Sequence, residues 1–144
     1  MSGTNASDTE AIVQSCYSAW AARNVEGVLA NLSDRCVNDL HLPVDVVAFA
    51  GRHVGKAAIG HCLRAIIEEF SFLAYAVDWL TVDGETARAR VVYYYRHNES
   101  GDQLEGFMRR VWLVQARKVV GLDEFHDVAL VKAFLEMVRG SRKT

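Results

Sequence analysis

Two adjacent arginines, Arg109 and Arg110, stand in the middle of an otherwise apolar, strand-like run, and this pair limits what the chain can fold into. Between residues 104 and 115, Leu104, Met108, Trp112 and Val114 alternate with Phe107, Val111 and Leu113. Successive strand side chains point to opposite faces, so one arginine enters each face. If one face covers a core, a guanidinium lies there among large apolar neighbours and requires an anionic partner. Such a chain is expected to be built around a pocket rather than a plain core.

The remaining composition bounds the partners. With 144 residues, 51% of them hydrophobic, the chain is long enough for one domain over residues 1–144, with a core over about 10–138. A formal charge of -2 leaves no basic field of the kind that tracks a phosphate backbone, so no nucleic-acid partner is expected. Arg139, Arg142 and Lys143 read as a solvated tail after a last helix. Cys16, Cys36 and Cys62 are odd in number and widely spaced, which fits neither a disulfide framework nor a zinc site. The five histidines, His41, His53, His61, His97 and His126, show no metal-ligand spacing; His53 and His97 fall in expected turns and most of the five read as surface residues. There is no glycine-rich phosphate loop, so the expected cofactor is none. The start of the chain is small and polar, and no run reaches the length of a membrane span, so a cytoplasmic protein without a membrane partner is expected.

Periodicity divides the chain into two halves. Val13, Cys16, Tyr17 and Trp20 mark an amphipathic helix over residues 10–23, with Ser7 and Glu10 resembling a capping box. Asn24 caps a short second helix, residues 36–42 suit a short strand, and Pro43 opens a loop. Gly51 and Gly55 bracket a turn into a third helix carrying Ile59, Leu63, Ile66, Ile67 and Phe70 on one stripe. Beyond it, residues 72–82, 86–96, 104–115 and 119–126 read as four strands of an antiparallel meander, followed by a helix over 128–138. Helices first and a sheet second is an α+β arrangement.

This order of elements, together with Gly55-Lys56-Ala57-Ala58-Ile59 and the closing segment from Lys118 to Asp127, resembles the nuclear transport factor 2-like superfamily, and within it the SnoaL-like and ketosteroid-isomerase-like branch. The resemblance implies a curved antiparallel sheet wrapped around the N-terminal helices as a cone with an apolar cavity, and a homodimer paired through the sheets. In limonene epoxide hydrolases a closing aspartate works with an Arg-x-Asp pair; Asp127 matches that aspartate, but Val91 and Tyr93 replace the pair, while Asn38 and Leu40 fall where polar groups bind water. The ketosteroid-isomerase base and oxyanion donors read here as Leu40, Cys16 and Arg110, with Asp39 and Tyr17 each one residue away. In SnoaL-like cyclases the acid or base near the end of the last strand again matches Asp127.

The resemblance places Arg110, Met108 and Trp112 on the cavity side, where Arg110 is expected to pair with Asp127 or to bind a ligand anion. Alternation adds Tyr93 and Tyr95 as possible phenol donors. Asp127 serves either as a general base or as the N-cap of the last helix, and Asp78 is a second carboxylate with expected access. His41 is placed near the cavity mouth as a further base, and Tyr17 and Trp20 on the first helix read as core residues first and as a ligand platform second. Two functions follow. One is an enzyme in which Asp127 or Asp78 moves a proton on a small apolar carbonyl compound while Arg110 and a tyrosine stabilise the oxyanion. The other is a non-catalytic ligand-binding or dimerisation domain that uses the outer face formed by Arg88, Arg90, Val92, Tyr94 and Arg96.

Overall fold

The computed structural model describes residues 4–45 and 47–142, the last two of these by backbone alone. Val46 and Lys143 lie outside the described residues, and the side chain of Arg142 does too. The chain forms α1 (Ala6–Ala21), α2 (Val25–Leu29), β1 (Leu32–His41), β2 (Gly51–Val54), α3 (Lys56–Glu69), β3 (Phe70–Asp83), β4 (Thr86–His97), β5 (Gln103–Gln115), β6 (Lys118–His126) and α4 (Val128–Arg142). The four-strand meander and the leading helices are as the sequence reading has them. The first helix begins earlier than the Ser7 cap predicts, because the Asn5 side chain accepts the Asp8 N–H at 2.8 Å.

The six strands form one curved, unclosed sheet in the order β2-β1-β6-β5-β4-β3. Every pairing is antiparallel except β1 with β6, which run parallel. The Gly51–Gly55 segment is more than the turn read from its glycines: Gly51–Val54 adds β2 to the edge of β1, and Gly55, at φ 88, makes the turn into α3. Only glycine takes that conformation without strain. The β5–β6 turn is less relaxed, because Ala116 and Arg117 both carry positive φ, 50 and 59.

The inner sheet face, α1 and α3 share one core. Val13, Cys16, Trp20 and Ile59 are buried against Ala87, Ala89, Val91 and Val114. Arg110 is inward and Arg109 outward, as strand alternation requires. On the outer face Arg90 lies 4.7 Å from the centre of the Phe107 ring. Among the described residues, no helix is long and apolar enough to cross a membrane.

Candidate active site

A cavity of about 210 Å³ opens between the inner sheet face, α3, the loop after β1, and α4. Leu40, Tyr93, Tyr95, Leu104 and Met108 line its sheet wall. Leu42, Val47, Ala48 and Phe49 come from the loop, and Val131, Phe134, Leu135 and Val138 from α4. A smaller cavity of about 40 Å³ lies toward α1, between Cys16, Trp20, Asn38, Cys62 and Trp112. Arg110 and Glu124 belong to both walls.

Arg110 and Glu124 face each other directly across β5 and β6 and form an ion pair, their side chains only 10% and 11% exposed. The anion that Arg110 requires is therefore Glu124, and not Asp127. Burial pushes the Glu124 carboxyl upward, but the Arg110 guanidinium and the His126 imidazole overcome that effect and bring it down to about 2. Burial acts to lower the Arg110 pKa, and Glu124 reverses it, so Arg110 stays charged. The guanidinium also lies 5.6 Å from the Tyr17 ring centre and 5.9 Å from that of Trp112. Tyr17 in turn accepts a hydrogen bond from Trp112 Nε1 at 3.1 Å.

His126 joins the same group. Its Nε2 lies 2.8 Å from Glu124 Oε2, and its side chain is 9% exposed. An ionised Glu124 can only accept, so Nε2 carries a proton; in the neutral imidazole Nδ1 is then left with a lone pair. That Nδ1 is buried without a hydrogen-bond partner, as is Arg110 Nε. The cavity wall thus holds one unmatched acceptor and one unmatched donor within a single ion-paired cluster. Burial raises Tyr93 to about 12 and Tyr95 well above its ordinary value, so both phenols remain O–H donors at neutral pH.

Other expected site residues lie elsewhere. Asp127 is exposed, and its Oδ1 accepts the Leu130 N–H at 3.2 Å, which is the N-cap role at the start of α4. Asp78 sits in a bulge of β3 and bonds Arg90 at 3.1 Å on the outer face. His41 is also on the outer face, stacked on Phe125 and bonded to Asp123 at 2.8 Å. Tyr17 is a core residue behind Arg110 and lines neither cavity, whereas Trp20, Trp112 and Asn38 border the smaller one. His97, expected in an exposed turn, is buried at the end of β4 and bonds Glu69 and Ser100. His53, also expected in a turn, lies in β2 and bonds the Phe49 carbonyl at 2.7 Å.

The histidine spacing gives no hint of metal ligands, yet the fold brings Asp39, His41 and Asp123 together, with one ligand atom of each within 4.8 Å of the others. Arg52 already binds both Asp39 oxygens, at 2.9 and 3.1 Å, so one of the two carboxylates is committed to an ion pair.

Glu124 and His126 are the residues that sequence reasoning missed. Opposite residues of antiparallel strands share a face, and the β5–β6 register would have found both. That register depends on a bulge between Leu113 and Val114, which moves Arg110 from a place opposite Asp123 to one opposite Glu124.

A curved sheet packed on helices around such a cavity is the architecture of NTF2-like proteins. An NTF2-like protein from Burkholderia xenovorans LB400 superposes with a TM-score of 0.76 at 18% identity, over 92% of this chain and 98% of that one. A protein with a ketosteroid isomerase-like fold from Catenulispora acidiphila DSM 44928 gives 0.73 at 12% identity, over 87% and 92% of the two chains. An LEH-like epoxide hydrolase of M. tuberculosis gives 0.71 at 16% identity, over 96% and 98%. At such identities the likeness carries the fold alone. No curated protein sequence matches the chain. Residues 13–122 match the family model described as a SnoaL-like domain, and the chain belongs to that family.

Proposed function

We propose that the chain catalyses proton transfer on a small apolar carbonyl compound held in the larger cavity. His126 takes the proton, Glu124 fixes its tautomer, and Arg110 with the Tyr93 or Tyr95 phenol meets the charge that develops on oxygen. The observation that carries this reading is the buried, partnerless Nδ1 of an imidazole whose other nitrogen is bonded to an ionised carboxylate. In the step, a C–H bond next to the carbonyl breaks, its proton goes to Nδ1, and its electron pair moves to the carbonyl oxygen. Return of the proton to the same or another carbon completes an exchange or an isomerisation without any external electron acceptor. Neutral phenols and a fixed guanidinium suit that oxyanion because they require no reorganisation when charge appears.

Asp127 is left out of this chemistry, since its carboxylate caps α4. The outer face exposes Trp79, Phe107 and Phe125, which supports the expected pairing of two copies through their sheets.

The test is loss of α-proton NMR signals from small cyclic ketones in D₂O. Wild type is expected to accelerate exchange, His126→Gln to lose roughly 10²–10⁴-fold of that rate, and Asp127→Asn to retain it. No exchange with wild type, or equal exchange with His126→Gln, would refute the reading.

A further inference from the structure

The size and charge of the cavity select its ligand. The geometry points to a neutral, single-ring compound carrying one oxygen function, and against fused four-ring compounds and carboxylates. The choice of an oxygen function rests on the reading of His126 and Arg110 given above; the size and charge limits rest on the cavity itself.

Size comes first. A dry protein cavity of about 150 Å³ accommodates benzene. By that scale the 210 Å³ found here holds about eight non-hydrogen atoms, and its open side admits one or two more. That is one substituted ring. A four-ring skeleton carries about twice as many atoms and cannot be enclosed by a space of this scale. The walls on three sides are side chains of the sheet, α3 and α4 that belong to the buried core or pack against it, so they do not yield without loss of packing.

Charge comes second. The cavity wall holds Arg110 and Arg139 against Glu69 and Glu124, two charges of each sign. The most buried cation, Arg110, is already matched by Glu124, so an entering carboxylate would be an uncompensated charge removed from water. A neutral ligand avoids that cost. Beside the Tyr93 and Tyr95 phenols, the fully buried atoms that the wall leaves unmatched are one donor, Arg110 Nε–H, and, in the neutral imidazole, one acceptor, His126 Nδ1. An oxygen that accepts from the first, with an O–H or an acidic C–H offered to the second, satisfies both. A simple phenol has this pattern and imitates the enol of a ring ketone.

Isothermal titration with three probes tests the inference: 4-isopropylphenol, 4-isopropylbenzoate and the four-ring phenol estradiol. The expected result is saturable one-to-one binding of 4-isopropylphenol, at least tenfold tighter than either of the others. Ala48→Trp, which places a large side chain at an exposed position of the cavity wall, is expected to weaken that binding at least fivefold. Absence of 4-isopropylphenol binding, equal or tighter binding of estradiol or of the benzoate, or indifference to Ala48→Trp would overturn it. Selective binding without ketone exchange would leave this inference standing and remove the proton-transfer reading. Exchange that occurs on four-ring ketones but not on single-ring ones would do the reverse.

Discussion

Replacing Glu124 by glutamine leaves Arg110 as a buried cation with no anion, and the cost can be worked from the structure. The Glu124 carboxyl titrates at about 2 in the fold against an ordinary 4.5. At about 1.4 kcal/mol per tenfold change in proton affinity, this corresponds to about 3 kcal/mol of stability. Removal of one partner from a buried ion pair costs roughly 3–5 kcal/mol, which agrees. The sign follows from which state holds the proton. Above about pH 5 the carboxylate is ionised in both folded and unfolded chains, and the stabilisation is complete. As pH falls from 4.5 toward 2, the unfolded chain takes up the proton first and the contribution is lost. Urea unfolding at pH 7 should therefore show Glu124→Gln less stable by about 3 kcal/mol, or about 10 °C lower in Tm. Its stability should also fall less than that of wild type between pH 5 and 3. The double variant Arg110→Met with Glu124→Leu should recover most of the loss, since packed apolar side chains replace a buried ion pair at little cost. A Glu124→Gln protein within about 0.5 kcal/mol of wild type at pH 7, or with an unchanged acid profile, would refute the reasoning.

Two further outcomes concern the backbone. A Cβ at Gly106 would lie 2.8 Å from the Tyr93 hydroxyl and 3.3 Å from Leu130 Cδ2, so Gly106→Ala should cost about 1–3 kcal/mol and, by moving the Tyr93 ring, weaken binding of 4-isopropylphenol in the same titration. Ala116 stands at φ 50 in the β5–β6 turn, so Ala116→Gly should relieve left-handed strain and raise stability by about 1 kcal/mol; a lower Tm in a thermal melt would show that the turn is not strained.

Strand alternation in β4 and β5 was readable because those runs are long, regular and bounded by turn residues. It put Tyr93 and Tyr95 on the inner face and set Arg110 on one face with Met108 and Trp112, and the family resemblance said that this second face is the inner one. The demand of a buried guanidinium for an anion was equally plain. Which anion was not, because β6 carries an extra residue, Val120, near its start. Counting by twos from the fully buried Val119 puts Asp123 and Phe125 inside and Glu124 outside, and the bulge reverses that assignment. Asp78 was obscured in the same way by the bulge between Val77 and Trp79. The β2 strand escaped notice because four residues with a glycine at the start are too short to show a period. His97 looked like a turn residue, since its burial comes from Glu69, which lies 28 positions earlier in the chain.

The one parallel pairing has a consequence for how the molecule is made. β1 can join the rest of the sheet only through β6, whose residues follow it by more than eighty positions, as in Asn38 opposite Leu122. During synthesis the β1–β2 hairpin waits with an unpaired edge until β6 has emerged. The cavity is then closed last, when β6 brings Glu124 and His126 into place and α4 follows directly behind. A ribosome stalled before β6 therefore holds a chain with an open strand edge and an Arg110 that lacks its anion.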